Sequence, residues 1–179
     1  MSKYVLFWGP KNTLPEFSQW HRSDFTVFES RFSNEENPML RSMIENTYNC
    51  AEMYMMARKA RLFNDKETYT KIRNTKSPKE QKQLGREVKR FDFDIWNKHC
   101  QDIVYEGNLA KFSQNEWLKQ KLLDTGDAIL VEASPVDKIW GIGLAPDDPR
   151  ALDEDQWQGQ NLLGKALMRV RDSLNENKM

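Results

Sequence analysis

The stretch AEMYMMARKARLF, residues 51–63, reads as a helix with two charges on its apolar side. At about 100° per residue and with Glu52 set at zero, Phe63, Met56, Ala60 and Met53 span about 20° to about 100°. Met55 and Leu62 fall at about −60° and about −80°, and Lys59 lies inside the same arc at about −20°. Arg58, Arg61 and Tyr54 point away. A surface helix normally keeps its charges opposite its apolar stripe. Burying a carboxylate or an ammonium is costly unless it is paired or faces a cavity. The two groups are seven residues apart, roughly 10.5 Å along the axis, too far for a direct ion pair between rigid backbones. Either the two are buried partners whose long side chains shorten that gap, or this face opens onto a pocket. The plainer arrangement is a lysine that snorkels to solvent beside a glutamate at the rim.

A length of 179 residues suits one domain with a sizeable core. Lys plus Arg and Asp plus Glu are equal at 27 each. Net charge thus gives no general pull toward nucleic acid or a membrane, and any nucleic-acid contact must be local. Mean hydropathy is −0.81, apolar runs are short, and neither a membrane span nor a signal peptide is visible. Cys50 and Cys100 stand alone, which fits a reducing, cytoplasmic compartment. His21 and His99 lack companions at ligand spacing, so no metal is expected. Six Trp and nine Phe can fill a core or wall a site for a flat ring.

Along the chain, YVLFW (4–8) reads as a strand stopped by Gly9-Pro10, and DFTVF (24–28) as its pairing partner. SNEENP (33–38) reads as a polar loop. Residues 39–63 read as helical, in one or two pieces, followed by a charged helix over 65–74. SPKE (77–80) is a capping box with Pro at the first helical position, opening a helix to about Lys89. Helices follow over 94–112 and, capped by Asn115, to Leu123. AILVEA (128–133) is the clearest strand, KIWGIGL (138–144) runs into a glycine-containing loop, and 161–174 is the last helix. Helices outnumber strands without alternating with them. The reading is α+β: a mainly helical single domain with a small β-sheet over 1–171 and a C-terminal tail over 172–179.

Several positions allow two readings. Glu132 ends an apolar strand, where a carboxylate either serves a site or faces solvent. Asp137 precedes Trp140, Gly141 and Gly143; glycine permits close ligand approach, but a tight turn with a core tryptophan explains the spacing. Asn161 sits where the last helix begins, and an N-cap accounts for it, although a helix N-terminus also suits a phosphate. His99 falls among Ile95, Ile103 and Ala110 and reads as a core histidine, with Trp96 at the edge of that face. No P-loop, GxGxxG, GxSxG or HExxH is present, which removes the common nucleotide and hydrolase fingerprints.

The order of motifs is familiar. FWGP, AEMYMMARKARLF, LGREV (84–88), FDFDIW (91–96), KFSQN (111–115), LLDTGDAILVEASPVDKIWGIGL (122–144) and WQGQNLLGKALMRVR (157–171) cover most of residues 4–171. Together they resemble the NADAR family (NAD- and ADP-ribose-associated, YbiA-like proteins). The resemblance implies a YbiA-like fold and an N-glycosidase without metal or other cofactor. It implies one of two substrate classes: ADP-ribose on guanine in nucleic acid, or ribosylamino-pyrimidine phosphates of riboflavin biosynthesis. A non-catalytic ADP-ribose or NAD binding module is the third reading. The family's acid and lysine match Glu52 and Lys59, with the lysine attacking C1 of the ribose to form a Schiff base. Apolar neighbours such as Met56 and Phe63 would lower its pKa and free the lone pair. Glu52 would protonate the leaving base or shuttle a proton during ring opening. The same resemblance assigns Trp96 and Trp140 to base stacking, Glu132 and Asp137 to ribose hydroxyls, Gly141 and Asn161 to the frame of the site, and Arg86 to a phosphate. In the first reading the protein repairs modified DNA or RNA, in the manner of an antitoxin against an ADP-ribosylating enzyme. Two departures stand out: LPEFSQW (14–20) replaces the family's SNF element, and His99 stands where arginine is frequent.

Overall fold

The computed structural model describes residues 3–9, 13–32 and 43–176. Four strands, β1 (Tyr4–Phe7), β2 (Phe25–Ser30), β3 (Met43–Tyr48) and β4 (Ile129–Glu132), accompany six helices among the described residues. The helices are α1 (Ala51–Leu62), α2 (Lys66–Asn74), α3 (Pro78–Arg86), α4 (Phe93–Ser113), α5 (Glu116–Leu123) and α6 (Leu162–Glu176). The fold is α+β and mainly helical. None of the described helices is long and apolar enough to cross a membrane.

Strand pairing departs from the sequence expectation. β1 pairs with β4 in parallel, Tyr4 against Ile129 through Phe7 against Glu132, and not with β2. β2 instead pairs antiparallel with β3, Phe25 against Tyr48 through Ser30 against Met43. The segment MIENTY, read above as helix, is therefore a strand. Its period is two: Asn46 and Tyr48 are buried and Glu45 and Thr47 are exposed. What holds it inward is a buried carboxylate on β2. Asn46 Nδ2 donates to Glu29 Oε1 at 2.9 Å, and the Tyr48 hydroxyl donates to the same oxygen. The SNEENP loop lies outside the described residues.

Helix α1 runs through the centre, with residues 51–57 all buried. Cys50 caps it, its Sγ accepting from Met53 N at 3.4 Å. Ser77 caps α3 by accepting from Glu80 N, with Pro78 in the first turn, as the SPKE motif predicts. Asn115 stands at the N-cap position of α5 but makes no side-chain cap; its Nδ2 donates back to Lys111 O at 2.7 Å. His99 is exposed rather than in the core, because the first two turns of α4 project past the packed layer and leave Phe93 and Ile95 exposed as well.

Close helix packing on α1 depends on missing side chains. A Cβ on Gly85 would lie 1.9 Å from Met56 Sδ, and one on Gly107 would lie 2.4 Å from the Tyr54 ring. Gly85→Ala is expected to destabilise the protein by about 1–3 kcal/mol, the usual cost of overpacking, and to displace α3 from α1. Chemical denaturation with an unchanged m-value checks this; an unaltered midpoint would contradict the close packing.

Candidate active site

Glu52, in the first turn of α1, is 5% exposed. Its backbone N donates to Gln19 O at 3.0 Å. Burial pushes its carboxyl up to about 7, opposed by Lys82, by a hydrogen bond from the Trp20 side chain and by Arg86, and reinforced by Asp137. Lys59, two turns on, is half-buried. Its Nζ donates to Gly85 O at 2.8 Å and stands 4.2 Å from the centroid of Phe91 and 5.4 Å from that of Trp96. Burial lowers its pKa and Arg86 lowers it further, while Glu52 acts the other way. The arc expected from helical phase is thus occupied: aromatic rings lie over the lysine, and among the described residues α3 supplies its direct polar contact.

A second group of candidate residues lies at the end of β4 and in the turn after it, coupled to Glu52 through Glu132 and Asp137. Burial pushes Glu132 up to about 8; Asp137 and Glu52 add to the rise and Lys82 opposes it. Its Oε2 is buried with no hydrogen-bond partner among the described residues. Asp137 is held in the turn by accepting from Ile139 N at 2.9 Å and Trp140 N at 2.8 Å through one oxygen. Gly141 lets the two segments meet, since a Cβ there would lie 2.8 Å from Glu132 O and 2.9 Å from Asp137 O. Asn161 works from behind. It is 1% exposed, its Oδ1 accepts from Glu132 N at 3.0 Å, and its Nδ2 donates to Leu130 O at 2.9 Å. Its side chain is therefore bound to β4 and does not cap α6. It fixes the strand end that carries Glu132.

Mutual electrostatics tie Glu52, Glu132 and Asp137 to one another and to Lys82, while Arg86 acts on both Glu52 and Lys59. Trp96 joins them over Lys59. Trp140 is half-buried and packs on the main core. Sequence reasoning missed Lys82, Trp20 and Phe91. Lys82 had a signal: it lies four residues before Arg86 and shares its face of α3. Trp20 had none, being placed by a long-range tether. Lys111, fully buried on α4, donates to Glu16 O at 2.8 Å and Ser18 O at 3.0 Å, and burial pushes its pKa down to about 7. That anchors the segment whose next residues reach Glu52. Gln19, where the family's SNF element would fall, accepts from Asn108 Nδ2 at 2.8 Å inside the fold.

A separate open cleft of about 520 Å³ lies between β2, α1 and α4, lined by Glu29, Arg58, Arg61 and His99 among others. It contains none of the candidate residues. Among the described residues, no three His, Cys, Asp or Glu side chains are grouped to hold a metal ion.

The arrangement sets a half-buried lysine against aromatic rings, beside three electrostatically coupled carboxyls and two cations from α3. Comparison with known proteins places the chain in a family. The family model of the NADAR domain matches residues 6–175. The chain belongs to the NADAR family. An N-glycosidase of Acanthamoeba polyphaga mimivirus is 44% identical over 173 residues, covering 95% of each chain. The N-glycosidase YbiA of Escherichia coli is 30% identical over 128 residues, 72% of this chain and 71% of that protein. A chloroplastic riboflavin biosynthesis protein, PYRR of Arabidopsis thaliana, is 34% identical over 105 residues, 56% of this chain and 16% of that protein. The NMR structure of Escherichia coli YbiA superposes with a TM-score of 0.73 at 24% identity, covering 99% of this NADAR chain and 89% of the other. It has the same fold.

Proposed function

We propose that this NADAR protein is an N-glycosidase that removes ADP-ribose from ADP-ribosylated guanine in nucleic acid, with Lys59 as the nucleophile. The observation that carries the reading is the lysine itself. A half-buried amine beside Phe91 and Trp96, with its pKa lowered, suits a nucleophile better than a surface ammonium would. The neutral amine attacks C1 of the ribose, the bond from C1 to the base nitrogen breaks, and the base takes up a proton. Glu52 as carboxylate receives the proton that Nζ loses. It then returns it to the ring oxygen, opening the sugar to a protonated Schiff base. Water adds to C1, the carbinolamine collapses, and ADP-ribose and the free lysine result. Lys82 and Arg86 form the cationic wall that suits a substrate phosphate, and Trp96 offers a face for a ring.

A second reading is favoured by the PYRR relative: the same chemistry on ribosylamino-pyrimidine phosphates. A balanced charge of 27 against 27 is compatible with a small substrate, though also with a pocket that grips one modified base. Release assays on an oligonucleotide carrying ADP-ribosyl-guanine and on a ribosylamino-pyrimidine phosphate decide between them. The first reading expects kcat/KM at least about 100-fold higher on the oligonucleotide; the reverse preference would establish the second. Tight ADP-ribose binding without turnover on either would instead indicate a binding module.

A further inference from the structure

Three carboxyl groups face the proposed reaction, and their surroundings differ. Glu52 has the Trp20 side chain and Lys82 acting to favour its ionised form. Asp137 spends one oxygen on two backbone N–H groups of its own turn. Glu132 has a buried oxygen, Oε2, with no hydrogen-bond partner among the described residues. The strand end beneath it is rigid: Asn161 accepts from its backbone N, Ile142 N donates to its backbone O at 3.0 Å, and Gly141 packs the turn directly against it. An ionised oxygen in that position would forfeit its hydration without a donor in exchange. A protonated carboxyl there holds an O–H that lacks only an acceptor.

We infer that Glu132 is the catalytic acid that protonates the departing base, and not a binder of ribose hydroxyls. This rests on the N-glycosidase reading. Glu132 enters the cycle as the carboxylic acid. As the bond from C1 to the base nitrogen breaks, the bonding pair goes to the base and the Glu132 proton joins it, so that the base leaves neutral. The resulting Glu132 carboxylate later removes a proton from the water that adds to the Schiff base, which restores the acid. Glu52 and Glu132 then hold separate protons. Glu52 exchanges with Lys59 and the ring oxygen; Glu132 exchanges with the base and water. Burial raises both carboxyls, Glu132 to about 8 and Glu52 to about 7, so each can exchange a proton near neutrality.

The test uses two leaving groups. ADP-ribosyl-guanine needs a proton to depart; 4-nitrophenyl ribofuranoside 5-phosphate releases a phenolate that does not. Wild type, Glu132→Gln and Glu132→Asp are assayed on both, from pH 5 to pH 10. General acid catalysis contributes on the order of 100- to 10,000-fold. Glu132→Gln is expected to lose that much on the guanine substrate and less than about tenfold on the nitrophenyl substrate. The alkaline fall of the wild-type rate on guanine, expected above about pH 8, should vanish in the variant. Glu132→Asp, which keeps an acid on a shorter stem, should recover part of the guanine activity. Equal losses on both substrates, or an unchanged alkaline limb, would overturn the role of Glu132 while leaving the N-glycosidase reading intact. A wild type inactive on both substrates would overturn the ADP-ribosyl-guanine reading, and this role on that substrate with it.

Discussion

Lys59→Met is expected to abolish turnover, by at least about 10,000-fold, while leaving the protein folded. A nucleophile that forms a covalent intermediate has no substitute when removed. Methionine keeps the unbranched stem among Phe91 and Trp96, and only the Gly85 carbonyl loses a donor. Because burial already lowers the pKa of this amine, the charge removed is one the fold disfavours. A binding module predicts the opposite pattern, with ADP-ribose affinity intact in wild type and variant and no turnover to lose. Calorimetric titration with ADP-ribose beside the release assay separates the two. Residual activity above about one per cent of wild type would remove Lys59 from the chemistry.

Glu52→Gln is expected to lower kcat by on the order of 100- to 10,000-fold and, at the same time, to stabilise the protein at alkaline pH. The sign follows from linkage. Burial raises the Glu52 pKa from 4.5 to about 7, so the native state binds this proton more tightly than the unfolded chain. The stability it contributes is complete below the unfolded value and is lost as pH rises through about 7. A glutamine is neutral throughout and accepts from Trp20 with its carbonyl oxygen. Between about pH 5 and about pH 8 the variant should therefore gain on wild type by on the order of 1–3 kcal/mol. Thermal unfolding of both proteins at the two pH values reads this directly. A stability difference that does not change with pH would mean that the fold does not raise the Glu52 pKa, and the tuning of its proton exchange toward neutrality would fall. Stability given up at a site for the sake of its chemistry is a common trade.

The helical phase of residues 51–63 placed Glu52 and Lys59 on one arc, and they do share it; local geometry was enough because both lie on one element. The capping box at Ser77 was legible for the same reason; Gly141 was read as room for a ligand or as part of a tight turn, and its packing against β4 was not. The pairings were not legible. β1 meets a strand more than a hundred residues away, and nothing in YVLFW distinguishes that partner from the nearer DFTVF. MIENTY was absorbed into the following helix because Met43 and Ile44 extend its apolar run. The strand is stabilised by Glu29 reaching Asn46 and Tyr48 across the hairpin, a contact invisible in the segment itself. Trp20 and Lys111 show the same limit within the site. One donates to Glu52 and the other tethers the loop that carries it, and both depend on the packing of α4 against a segment some ninety residues earlier. Asn161 was read as a helix cap because its place before α6 satisfies that rule; the strand beside it made the stronger offer.

The central claim is a covalent bond between Lys59 and the sugar. The most direct measurement adds borohydride during turnover of an ADP-ribosyl-guanine oligonucleotide and maps the protein by mass spectrometry. The account predicts a reduced ADP-ribose adduct on Lys59, formed by wild type and absent from Lys59→Met. Full turnover with no adduct, or an adduct on another lysine such as Lys82, would contradict it.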